Sequence, residues 1–267
     1  MRKLADYEPV ILKVMRYCAK ETHFECHPPL AEILAKHPRL VVALMHATPL
    51  SWLPSISLLA LETAARGGRA RAPMGVMDNF FFHLPGLRGI AHYLSQSDRP
   101  LSYHELAARF REEGDIDLVL FPEGSNCFFG PPDEIQEFRS PKFVELAIET
   151  GAPLLLGVNA GSENWSKTLP VPTGWLDRLD FLPSFAASFL EKRLRETGLL
   201  TVPILPLPME RFSMLCELYQ PTLSKPELAS DVDERRAQIR AEAILVRDRM
   251  REMLERLRTE KEKLSGS

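Results

Sequence analysis

Three short runs of this 267-residue sequence are apolar almost without a break: Arg39-Leu-Val-Val-Ala-Leu-Met45, Ile116-Asp-Leu-Val-Leu-Phe121 and Pro153-Leu-Leu-Leu-Gly-Val158. Each has the length of a strand. A strand with one wet face alternates apolar and polar residues, whereas a strand covered on both faces does not. The runs therefore predict strands at the centre of a sheet with helices on either side. Helical windows lie between them, at 53–66, 102–113 and 140–150. Ser102 and Glu105 form a capping box at the start of the second window. Gly114 and Gly151 stand just past helix ends, where glycine is favoured. Strand–helix–strand alternation predicts an α/β fold, with a mostly parallel central sheet flanked by helices.

Residues 7–20 and 29–37 read as amphipathic helices, so 1–38 is expected to be an N-terminal helical element ahead of an α/β domain over 39–230. After residue 160 the pattern changes. Residues 160–174 read as a long loop, and Trp175 to Arg195 as helical with an interruption at Pro183. Val202-Pro-Ile-Leu-Pro-Leu-Pro208 fits only an edge strand or an extended segment. Phe212 to Tyr219 is the candidate to pair with it. In the tail, 231–267, Ile239, Ala243, Val246, Met250, Met253 and Leu257 fall on one stripe of a long helix over 231–264. That stripe spans fewer than three heptads, so it is read as packing on the same domain rather than as a coiled coil.

Composition narrows the function classes. Lys and Arg total 33 against 36 Asp and Glu, a formal charge of −3, and the pI is near 6.2. No basic surplus exists to hold nucleic acid. The four cysteines are scattered with no Cys-x-x-Cys pair, which points to a reducing compartment. Met1 to Lys13 has no apolar h-region and does not read as a signal peptide. No window is apolar for long enough to cross a bilayer. The expectation is a cytoplasmic protein whose contact with a membrane, if any, is peripheral. His23, Cys26 and His27 would offer soft ligands on one helical turn, but Pro28-Pro29 ends that turn and no fourth ligand has a fitting spacing, so no metal is expected. There is no Gly-x-Ser-x-Gly elbow, phosphate-cradling glycine loop or HExxH.

Phe121-Pro-Glu-Gly-Ser-Asn126 follows a buried strand directly. Glu123 thus stands at a strand's carboxyl end, where open α/β sheets place their crevices. Pro122 and Gly124 fix the turn around it. The alternative is a surface turn with a solvated glutamate. His46 follows the first apolar run in the same way. A histidine and a glutamate at the ends of two buried strands are expected to face one crevice.

This order of segments resembles the glycerolipid acyltransferase superfamily, the lysophosphatidic-acid acyltransferase-like enzymes. That family has a strand followed by His-x4-Asp, then Phe-Pro-Glu-Gly after a later strand. An aromatic and basic segment before a helix comes next, and then a Pro-hydrophobic strand. The matching segments are Val41 to His46, Leu118 to Gly124, Phe138-Arg-Ser-Pro-Lys142 and Ala152-Pro-Leu154. The likeness covers about residues 35–160 and continues more weakly through Tyr219. It implies transfer of a fatty acyl group from acyl-CoA or an acyl carrier protein to a lipid-like hydroxyl acceptor. His46 would be general base, and Glu123 would bind acceptor or order the turn. Gly124, Ser125, Asn126, Arg139 and Lys142 would surround the acceptor, the last two supplying positive charge. No cofactor beyond the acyl thioester is implied. The setting would be phospholipid biosynthesis at the inner face of a membrane.

Two departures matter. Ser51 stands where the family has the Asp that orients the histidine. In Ser-His-Asp hydrolases, losing the carboxylate costs about 10⁴ in rate, roughly 5.5 kcal/mol of barrier. Either Ser51 orients His46 weakly, or another carboxylate such as Asp78 replaces the Asp, or catalysis is lost. Asn126 stands where the family has an arginine implicated in binding the acceptor's phosphate, and a neutral amide lacks that bidentate fork. This favours an acceptor other than glycerol phosphate or lysophosphatidic acid. Phe80-Phe-Phe82 either lines an acyl groove or fills a core, while His83 and His92 read as structural. Trp175 to Leu190 and the first helix, with Val10, Ile11, Val14 and Met15, either touch a membrane interface or pack on the sheet. The rival functions are a lipid- or acyl-binding protein that lost the dyad, and a thioesterase-like hydrolase. A carboxylate on the His46 ring would favour catalysis; a ring bonded only to backbone would favour the binding protein.

Overall fold

The computed structural model describes residues 1–83, 86–112, 114–172, 184–204 and 208–265, the side chains of 80, 184–190 and 260–265 excepted. In chain order the elements are α1 (Leu4–Cys18), β1 (Ala19–His27), α2 (Leu30–Lys36), β2 (Arg39–Leu44), α3 (Trp52–Ala65), β3 (Ala72–Gly75), α4 (Asn79–His83), α5 (Arg88–Ser95) and α6 (Tyr103–Glu112). They continue with β4 (Ile116–Leu120), α7 (Lys142–Thr150), β5 (Leu154–Ala160), β6 (Ser166–Pro170), α8 (Ser184–Thr197), β7 (Leu199–Pro203), β8 (Met209–Tyr219) and α9 (Val232–Ser265). Six strands form one sheet in the order β1-β8-β5-β2-β4-β3. Every neighbouring pair is parallel except β5 with β8. The fold is α/β, as the apolar runs predicted.

The runs are continuous because two cores compete for one strand. Leu40, Val42 and Leu44 face Met15, Ile33 and Leu58 of α1, α2 and α3. Val41, Ala43 and Met45 face the other way, toward Phe110 of α6, Val144 of α7 and Val246 of α9. The period-two alternation is present in β2, but both faces are dry. The α9 stripe is buried from Ile239 to Leu257, and from Ala243 onward it belongs to this second core. Polar ties fasten α9 as well: Glu242 accepts from the Tyr219 hydroxyl at 2.8 Å and the Thr222 amide at 2.9 Å. Ser102 caps α6 as the sequence predicted, its amide donating to Glu105 at 2.8 Å. At the base of the sheet a buried Arg71–Asp117 pair is bidentate, at 2.7 and 2.5 Å.

Four expectations change. The first helix ends at Cys18 and the chain continues as β1, so 1–38 is not helical throughout and supplies an edge strand to the main sheet. The polar-rich β1 sequence carries no apolar run, and its partner β8 lies some 190 residues away in sequence. His23, Cys26 and His27 therefore sit along a strand rather than on one helical turn. The loop expected at 160–174 contains β6, which pairs antiparallel with β7 in a separate two-stranded sheet, with α8 between them in the chain. The segment 212–219 lies in β8 and pairs with β5 and β1 instead of with 202–208. Strand β3 has only four residues, too few for periodicity to register. Among the described residues no helix is long and apolar enough to cross a membrane. The candidate interfacial stretch 175–190 falls outside the described residues up to 183, and only the backbone of α8 is described from 184 to 190. Helix α1 buries Met15 and leaves Val10 exposed.

Candidate active site

Strands β2 and β4 are paired in register, Ala43 beside Leu120. Three residues beyond each partner, the chain reaches His46 and Glu123. The two predicted residues do meet, but through the backbone of one. Glu123 Oε1 accepts from the His46 amide at 2.7 Å, and Oε2 accepts from the Gln136 amide at 2.7 Å. The carboxyl is fully buried. Burial pushes it up to about 7, against the pull of those two amides and of Arg251. The peptide before His46 is held from its other side too. Asn159 Nδ2, at the end of β5, donates to the Met45 carbonyl at 3.2 Å, and Ser162 Oγ donates to Asn159 Oδ1 at 3.1 Å.

The His46 ring rests against Phe121, with centroids 5.0 Å apart. Its Nδ1 lies 3.3 Å from the Gly124 carbonyl oxygen. A carbonyl can only accept, so Nδ1 carries the proton and Nε2 keeps its lone pair. Nε2 faces Cys127 Sγ at 3.9 Å. Burial pulls the imidazole down to about 4, with the Gly124 and Pro49 carbonyls opposing. The resting ring is neutral, with one nitrogen anchored and the other a base. Gly124 is required here for backbone reasons: its φ is +52°, and a Cβ would press on Arg139 Cδ at 3.3 Å.

Two candidate orienters of His46 do not orient it. Ser51 is buried and turned to its own loop: its Oγ accepts from the Thr48 amide at 3.1 Å and donates to the Thr48 carbonyl at 2.9 Å. A hydroxyl three residues past a chain reversal satisfies the nearest orphaned backbone groups first. Asp78 forms an ion pair with Arg139 at the rim. Among the described residues no carboxylate is hydrogen-bonded to the His46 ring.

The other predicted residues divide. Arg139 stays beside the turn, its amide donating to the Pro122 carbonyl at 2.8 Å. Lys142 leaves it, its ammonium lying 5.5 Å over the Tyr103 ring of α6. Asn126 is buried and structural, donating to the Glu137 carbonyl at 2.8 Å. Its Oδ1 accepts from Arg193 at 2.5 Å. A guanidinium from α8 thus reaches the turn that carries Glu123. Ser125 Oγ and Thr48 Oγ1 are buried and have no hydrogen-bond partner among the described residues. His83 and His92 lie away on α4 and α5, and no cluster of three metal-ligating side chains is found among the described residues.

Sequence reasoning missed Cys127, Asn159 and Arg193. Asn159 had a signal, a polar residue at the carboxyl end of the third apolar run. Arg193 had none, because only the path of α8 brings it to Asn126. No family model matches the chain, and no curated protein shows significant similarity to it.

Proposed function

We propose that this protein transfers a fatty acyl group from an acyl thioester, carried by coenzyme A or an acyl carrier protein, to a hydroxyl group of a lipid-like acceptor. The observation that carries the reading is the His46 tautomer: Nδ1 anchored on Gly124, Nε2 free to take a proton. His46 accepts a proton from the attacking group and returns it to the departing thiolate, so it ends neutral, as it began. Glu123 and Asn159 fix the peptide that carries the ring, which limits the reorganisation each turnover needs. Arg139 and Arg193 supply positive charge near the turn. The reaction needs no metal, and its place is the inner face of a membrane, reached from the cytoplasm.

One observation favours a second reading, a lipid- or acyl-binding protein without catalysis: the ring's hydrogen-bond partner is backbone, and no described carboxylate supports the imidazolium. The test is thiol release from acyl-CoA and acyl carrier protein, for wild type and His46→Ala, with and without vesicles containing hydroxyl lipids. Acceptor-dependent release lost in the variant is the expected result. Release that needs His46 but ignores acceptor makes the protein a hydrolase. Saturable binding of acyl-CoA with no release makes it a binding protein.

A further inference from the structure

We infer that Cys127 receives the acyl group on its own sulfur before the acceptor does, so that transfer passes through a thioester on the protein. This deepens the acyl-transfer reading above and rests on it.

The geometry joins two side chains that the sequence keeps 81 positions apart: Cys127 Sγ lies 3.9 Å from His46 Nε2, the nitrogen left unprotonated by the Gly124 contact. Gly124 and Cys127 belong to the same turn, so one short segment both sets the tautomer and presents the thiol. The choice of nucleophile follows from placement: the Cys127 sulfur is the side chain that faces Nε2. A thiol is also intrinsically easier to deprotonate than a hydroxyl. Burial and the nearby Glu123 keep Cys127 protonated at rest. It therefore needs a base, and Nε2 is placed to be that base. The other cysteines have different settings. Cys18 and Cys216 are buried in the core on the opposite face of β2, and Cys26 packs against that core from the edge strand β1. Thr48 and Ser125, on the turns that carry His46 and Cys127, each bury a hydroxyl with no partner among the described residues. The carbonyl oxygen of a bound acyl group would satisfy such a donor.

The chemistry balances without a further reactant. The Cys127 proton moves to His46 Nε2 as sulfur attacks the acyl carbonyl. The bond to the carrier's sulfur breaks, and Nε2 returns the proton to the departing thiolate. The acceptor hydroxyl then attacks the Cys127 thioester, its proton passing through Nε2 to the Cys127 sulfur. The first exchange converts one thioester into another and leaves the acyl group activated.

The full-length protein is mixed with hexadecanoyl-CoA and no acceptor. Free thiol is followed on the first-turnover timescale, and the intact protein and its peptides are weighed. One thiol released per chain, with an acyl adduct on Cys127 that hydroxylamine removes, is the expected result. Cys127→Ala abolishes the adduct and lowers acceptor-dependent turnover by about 10³-fold or more, the scale seen when a nucleophile is removed from its unit. Cys26→Ala keeps the adduct. Thermal unfolding of each variant separates lost chemistry from lost fold, and the wild-type adduct needs no variant at all. Acceptor-dependent, His46-dependent release with no burst, and an active Cys127→Ala, overturns the inference while leaving acyl transfer in place. No release under any condition overturns both.

Discussion

Glu123 holds His46 by its main chain and not by its ring: the carboxyl accepts the His46 amide at 2.7 Å and, with its other oxygen, the Gln136 amide at 2.7 Å. One buried side chain thereby ties the end of β2 to the loop that follows the Phe-Pro-Glu-Gly turn. Glu123→Ala leaves two buried amides unpaired and is expected to cost about 3 kcal/mol or more in denaturant unfolding. Glu123→Gln keeps one acceptor and costs less, about 1–3 kcal/mol. Equal stability of wild type and both variants would refute the clamp.

The pH response separates the two residues. The His46 imidazole drops from its ordinary 6.5 to about 4, so the acid limb of kcat/KM is expected near pH 4. Between those values the unfolded chain holds more protons, so this residue's contribution to stability rises with pH from about 4 to 6.5. Glu123 runs the other way. Raised from 4.5 to about 7, it keeps its extra proton in the folded state, and its contribution falls as pH rises through that interval. His46→Gln should remove the first slope and Glu123→Gln the second in unfolding measured across pH. A His46 ring that titrates at 6.5 by NMR contradicts the half-buried, anchored imidazole.

Asn159 supports the opposite side of the same peptide. Asn159→Ala is expected to cost about 1–2 kcal/mol, from one lost hydrogen bond and one orphaned carbonyl. It should lower kcat more than it changes KM, since the base shifts while the substrate contacts stay. An unchanged kcat would show that the Met45 carbonyl needs no partner for His46 to work.

Arg71 and Asp117 lie at the other end of the sheet and provide a control for fold without site. Asp117→Ala leaves a buried guanidinium uncompensated and is expected to cost about 3–5 kcal/mol. Replacing both by apolar residues of similar size should recover most of that loss. If the single variant unfolds like wild type, the pair contributes nothing.

The α9 stripe makes a further prediction. Met250→Ala opens a cavity in the core and is expected to cost about 2–5 kcal/mol. Ile244→Ser, on the exposed face, should stay within about 0.5 kcal/mol. A reversed order, or dissociation of a dimer by Met250→Ala in sedimentation, would return the stripe to a coiled coil.

Much of the sheet was legible because β2, β4 and β5 are dry on both faces, and an unbroken apolar run of strand length fits few other places in a fold. β1 was not legible, since an edge strand keeps polar residues and takes its ladder from a strand far along the chain. β6 and β7 are only five residues each and end in proline, so β6 read as loop and β7 registered only through Val202 and Pro203 of the extended segment. At the site, the neighbourhood of His46 and Glu123 was readable from two strand ends. The nature of their contact was not, because whether a carboxylate meets a ring or an amide depends on ångström-scale placement of two loops. Ser51 and Asp78 each have a closer partner than His46: Ser51 bonds Thr48 within its own loop, and Asp78 meets Arg139 only through the fold.

The sequence by itself determined the layers of this protein, the strands at its centre and the carboxyl end of the sheet where His46 and Glu123 stand. Those properties follow from hydrophobic period and from turn residues, which are local. Tertiary structure alone decided that His46 is anchored by the Gly124 carbonyl, that its free nitrogen faces Cys127, and that Arg193 arrives at Asn126 from another helix. Such contacts join residues tens of positions apart, and their distances are set by how helices pack across a twisted sheet rather than by any pattern along the chain.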